Sequence, residues 1–265
     1  MLLQYHGKPY DTNSLIFMKE IFMHKQQIDY FDEQNLLKGI LISSNANSKE
    51  KQPAIILFHA FEGRSEFTIE YGQKLAKDGY MVFIADMYGN AETANTIDGC
   101  FKLVTPFLEN RQLVRRRALS AFETLLKQEQ VDPDRIGALG FCFGGMCVLE
   151  IARSGAKLKS GVSLHGVLAK SNLSTHTIKS SLLIIHGYKD PQVPPHELTD
   201  FANELEAAYV NDWTFTFLGD AKHSFTDPKT GTFDAAKEIE MGREYNARAA
   251  SRAYRYAVDF FHEQL

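Results

Sequence analysis

The 265-residue sequence has three cysteines and one tryptophan, carries little surplus of either charge, and contains no long apolar run. Each shortage removes a class of protein. Cys100, Cys142 and Cys147 are too few for a disulfide framework in a chain of this length and show no Cys-x-x-Cys spacing for zinc, so no metal or other cofactor is expected. A formal net charge of -4, with no basic run beyond Arg115-Arg116-Arg117, gives no field that would draw nucleic acid. No window approaches the roughly 18 uninterrupted apolar residues of a membrane span. The first residues, MLLQYHGKPYDTNSL, lack a basic stretch followed by an apolar one, so the expected location is cytoplasmic.

What remains is 44% hydrophobic and 23% charged residues, enough to bury one large core. With no repeat, low-complexity tract or linker, residues 1–265 read as one domain. Residues 26–31 and 36–43 flank the polar Asp32-Glu33-Gln34-Asn35 stretch as an N-terminal antiparallel hairpin. Continuous apolar runs at 54–58, 81–85, 136–141, 160–164 and 182–185 have the pattern of strands buried on both faces. Helical patterns at 67–78, 113–128, 146–153 and 196–208 alternate with them. A last strand at 213–218 and an amphipathic helix at 245–263 follow. Alternating strands and helices predict an α/β fold: a mostly parallel central sheet with helices on both faces.

The segment Gly140-Phe141-Cys142-Phe143-Gly144-Gly145 follows one buried strand and opens onto a helix. That is the form of a nucleophile elbow, a strained strand-to-helix turn whose flanking glycines keep side chains away from the reactive residue. A cysteine there feels the positive end of the helix dipole, which favours the thiolate that attacks. The alternative for any lone cysteine is a small buried hydrophobe.

A nucleophile needs a base and a group that orients the base. In α/β-hydrolases the chain order is nucleophile, acid, histidine. Leu182-Leu183-Ile184-Ile185-His186-Gly187-Tyr188-Lys189-Asp190 puts Asp190 just past a buried strand, on the edge where open α/β sheets bind ligands. Gly219-Asp220-Ala221-Lys222-His223 puts His223 past the last strand, on the same edge. Taken alone, Asp190 reads as a turn residue before proline and His223 as a solvated loop histidine; the order of all three favours a Cys-Asp-His triad.

These segments resemble the signature regions of the dienelactone hydrolase family: Gly-Phe-Cys-Phe-Gly-Gly, residues 187–194, Ala221-Lys222-His223-Ser224-Phe225-Thr226, and Asp86-Met87-Tyr88-Gly89. The similarity runs from about residue 26 to the C-terminus. It implies an α/β-hydrolase fold with the triad Cys142, Asp190 and His223, and hydrolysis of a carboxylic ester or lactone through a thioester on Cys142. The oxyanion would be held by the backbone N–H groups of Phe143 and Phe61. Two family features are missing. The glutamate that holds the resting cysteine aligns with Ala60; Glu62 lies two residues later, either near the thiol or as a solvated loop carboxylate. The two arginines that grip a substrate carboxylate align with Asn90 and Asp227, so a neutral ester or lactone is expected.

Tyr88, Asn90, Phe225, Asp227 and Glu62 are the candidate substrate-binding residues, with residues 90–110 and 227–242 as the cap or rim of the pocket; Phe61, Tyr88, Phe143 and Phe225, each taken alone, read rather as core. His59, His165 and His186 read as loop and core histidines. The expected partner is a small-molecule ester or lactone. Two rival functions are a thiol redox protein using Cys142 and a non-catalytic binding module of the same fold.

Overall fold

The computed structural model describes residues 23–45 and 49–265; the opening segment discussed above lies outside them. Among the described residues one eight-stranded sheet runs in the order β1-β2-β4-β3-β5-β6-β7-β8. The antiparallel hairpin of β1 (His24–Asp32) and β2 (Asn35–Ser43) turns at Glu33, whose φ of 55° suits a tight connection. β2 pairs antiparallel with β4 (Met81–Ile84), and the rest of the sheet is parallel. The fold class expected from the sequence is the one observed.

β3 (Gln52–Phe58) and β5 (Val131–Phe141) lie at the centre, and their apolar runs are explained by burial on both faces. Ala54, Ile56 and Phe58 point into a core shared with the helices of one layer. Ile55 and Leu57 point into the opposite core. The first layer includes α2 (Ile97–Glu109), α3 (Arg111–Leu126) and α4 (Phe143–Arg153). The second holds α1 (Glu66–Lys77) and α7 (Ala247–Gln264). Asn246 caps α7 by accepting the N–H of Ala249, and the stripe Ala249, Ala253, Ala257 and Phe261 is buried. Small residues let this helix approach the sheet until Phe261 covers Gly137, where a Cβ would lie 2.7 Å from its ring.

The remaining elements are β6 (Ser160–Leu164), β7 (Ser181–Gly187), α5 (Pro195–Ala207), β8 (Trp213–Leu218) and α6 (Ala235–Glu240). Two helices depart from the sequence reading. α2 forms within the segment expected as a rim loop, although it contains Pro106; Thr96 caps it and Ile97, Cys100, Val104 and Phe107 are buried along one face. α6 is a single short helix inside the second expected rim.

Candidate active site

Cys142 sits between the end of β5 and the start of α4 with φ 50° and ψ -113°, a conformation an L-residue occupies only under constraint. The constraint is steric and local. A Cβ on Gly140 would lie 2.0 Å from the Gly144 carbonyl oxygen, and one on Gly144 would lie 2.3 Å from that of Phe58. Strand and helix therefore close on each other only with glycine at both places. The N–H of Cys142 donates to the Leu164 carbonyl of β6, fixing the turn to the neighbouring strand.

Asp190 follows β7 in a turn closed by its own N–H on the Gly187 carbonyl, and its Oδ1 accepts the N–H of Gln192. His223 follows β8. Its N–H donates to the Gly242 carbonyl and its carbonyl accepts from Glu244, while Lys189 N–H donates to Ala221, tying the acid and histidine loops together. These loops bring His223 Nε2 to 3.1 Å from Cys142 Sγ and His223 Nδ1 to 2.8 Å from Asp190 Oδ2. All three side chains are buried, so the solvated-loop alternative for His223 does not hold.

Burial alone would lower the His223 pKa, but the Cys142 sulfur and the Asp190 carboxylate outweigh it and raise it to about 9. For Asp190, burial pushes upward and the hydrogen bond and charge of His223 prevail, leaving the carboxyl below its usual range. Both shifts favour an imidazolium clasped by a carboxylate at neutral pH.

The loop after β3 faces this group. His59 accepts the Met87 N–H at Nε2, so its Nδ1 carries the proton donated to the Ala60 carbonyl; burial lowers its pKa to about 4. Tyr88 donates its hydroxyl to the Phe61 carbonyl at 2.8 Å and stacks on Phe143, which fixes the segment proposed to hold the oxyanion. Phe143 opens α4, where first-turn N–H groups have no intrahelical acceptor. Glu62 is 4% exposed, which overturns the solvated-loop alternative for it. Burial, reinforced by the charge of Asp227 and opposed by Arg243, raises its pKa to about 7. Phe225 is fully buried against His165, and Asp227 is half-buried with Oδ1 accepting the Lys229 N–H. Asn90 is exposed, with its N–H on the Leu36 carbonyl of β2, and makes no side-chain contact with the triad.

Arg243, a residue the sequence reading passed over, is also here. It is buried, its guanidinium lies 4.3 Å above the Phe61 ring, and its Nε meets Glu238 at 3.3 Å. Glu238 also accepts the N–H groups of Gly231 and Phe233, so one buried carboxylate shapes the loop before Arg243. Nothing in its local sequence marks Arg243: its bridge to His223 and its place over Phe61 are long-range facts. Among the described residues no group of three or more His, Cys, Asp or Glu is arranged to hold a metal, and no helix is long and apolar enough to cross a membrane.

The sheet order, the elbow and the acid and histidine loops define an α/β-hydrolase fold. Residues 37–265 match the model of the dienelactone hydrolase family, and the chain belongs to that family of hydrolases. A solved structure described as a dienelactone hydrolase-like promiscuous phosphotriesterase from metagenomic libraries is 31% identical, with a TM-score of 0.84 over 91% of this chain and 98% of that one. The mouse carboxymethylenebutenolidase homolog is 26% identical over 157 residues, 58% of this chain and 62% of that protein's length. An uncharacterized Caenorhabditis elegans protein is 30% identical over 153 residues, 57% of this chain and 93% of its own.

Proposed function

We propose that this chain cleaves a neutral carboxylic ester or lactone through a thioester on Cys142. The observation that carries the reading is the continuous chain from Cys142 Sγ through the His223 ring to Asp190, at 3.1 and 2.8 Å, on a strained elbow. Cys142 Sγ attacks the carbonyl carbon, and the displaced π electrons go to the oxygen, which the Phe143 and Phe61 N–H groups receive. The tetrahedral intermediate expels the alkoxide, which takes the Nε2 proton of His223. Water then gives a proton to His223 as its oxygen attacks the thioester, and the C–S bond breaks to release the acid. Asp190 holds the ring orientation throughout.

Neutral substrates are favoured because Arg243 is surrounded by acids: Glu238 pairs with it, and Glu62 and Asp227 lie within its field. An incoming carboxylate would find the Arg243 guanidinium already paired with Glu238 and flanked by further acids. A redox role finds no second reactive thiol, since burial pushes Cys100 up to about 12 and Cys147 well above its usual range.

The test is a panel of p-nitrophenyl esters, simple lactones and a neutral aryl phosphotriester, assayed with the native chain, Cys142→Ala and His223→Ala. Turnover by the native chain alone supports the proposal. Equal turnover by Cys142→Ala, or none by any form, sinks it.

A further inference from the structure

We propose that His165 and Thr226 form a positioning pair that orients the His223 ring toward Cys142, an inference that rests on the hydrolytic reading above. His165 follows β6 directly, between the nucleophile and acid strands. Its N–H donates to the Ile185 carbonyl of β7, and the preceding Leu164 carbonyl accepts from Cys142. Its φ of 40° lies in the left-handed region that side chains other than glycine rarely adopt.

The ring is 1% exposed and stands edge-on to His223, with centroids 5.2 Å apart and planes at 66°. Phe225 closes its other side at 5.1 Å, and Thr226 Oγ1 lies 2.8 Å from its Nε2. That bond fixes the rotation of the His165 ring, and the ring in turn is a wall against which His223 rests. Thr226 belongs to the same segment as His223, so the contact closes a loop from the base, through the chain, to the ring that supports it.

A purely structural role does not account for this residue. His165 Nδ1 is buried without a partner, and the backbone is strained; a phenylalanine would fill the space without the unpaired nitrogen. Burial, and then the charge of His223, hold His165 neutral, so it does not compete with His223 for the proton. The charged and titratable groups around His223 are Cys142, Asp190, His186 (3.8 Å from Asp190), His165 and Arg243, whose backbone bridges its own.

Thr226→Val, Thr226→Ser and His165→Phe test the pair by iodoacetamide alkylation of Cys142 between pH 5 and 10, kcat/KM on a p-nitrophenyl ester, and thermal melting. Thr226→Val and His165→Phe are expected to lose about fivefold in both rate measures, the worth of one neutral hydrogen bond. Their pH profiles should move by about half a unit; Thr226→Val, which leaves a buried ring nitrogen unpaired, should also melt a few degrees lower, and Thr226→Ser should match the native chain. Native rates and an unmoved pH profile in Thr226→Val and His165→Phe overturn the proposal. If Thr226→Val fails to fold, His165→Phe set against Thr226→Ser reads the same contact. Failure of the hydrolytic reading is distinct: the native chain turns over no ester, while alkylation of Cys142 still responds to these variants.

Discussion

Replacing Glu62 with glutamine should make the protein more stable, and only above a particular pH. Glu62 is buried and its pKa is raised from 4.5 to about 7, with burial the largest cause. A group whose folded pKa lies above its unfolded value favours the native state while both states are protonated, and that contribution is lost as pH rises through the folded pKa. Here the loss begins near 4.5, as the unfolded chain ionises, and is complete above about 7. A shift of about 2.5 units at 1.36 kcal/mol each makes the full penalty about 3 kcal/mol. Glutamine has the shape of the protonated acid and no charge to bury. Urea denaturation at pH 4.5, 6 and 8 should therefore show the two proteins equal at the lowest pH and Glu62→Gln ahead by about 3 kcal/mol at the highest, or about 6 °C in melting temperature. A difference that does not change with pH refutes the reasoning, because steric effects of the substitution do not titrate.

Ester turnover should fall as pH passes about 9, where His223 loses the proton it must deliver to the leaving group; the pH profile of kcat/KM checks this. Asp227→Arg should raise the preference for anionic over neutral esters by about tenfold or more, the scale of a charge reversal at an effective dielectric near 20; paired substrate assays read it. Gly144→Ala should destabilise by at least about 1–3 kcal/mol and abolish turnover, since the new methyl lies 2.3 Å from the Phe58 carbonyl oxygen and the elbow must open; thermal melting and ester assays report both.

The parts of the molecule legible in the sequence are those specified by adjacent residues. β3 and β5 announced themselves through unbroken apolar runs, and the elbow through two glycines around a cysteine. Asp190 and His223 were readable because each follows such a run by a few residues. α2 was missed because Pro106 interrupts a pattern whose buried face is made by four residues, Ile97, Cys100, Val104 and Phe107. α6 is too short for a periodic signal. The surroundings of the triad were the least readable. Arg243 reaches Phe61 across 182 positions of chain, and His165 meets Thr226 across 61. A buried arginine over an aromatic ring and a histidine kept neutral have no local signature. Glu62 was visible as a loop carboxylate, but its surroundings are partly assembled from afar, by Asp227, Arg243 and the segment that pairs Gly63 with Thr93.

The most direct test of a Cys142 thioester is the mass of the protein itself. The native chain mixed with a p-nitrophenyl ester, quenched in acid within its first turnovers and digested, should yield the Cys142 peptide heavier by one acyl group. The same treatment of Cys142→Ala should yield no acylated peptide and no turnover. Continued hydrolysis by Cys142→Ala, with no acyl group on Cys142 in the native chain, would contradict the account.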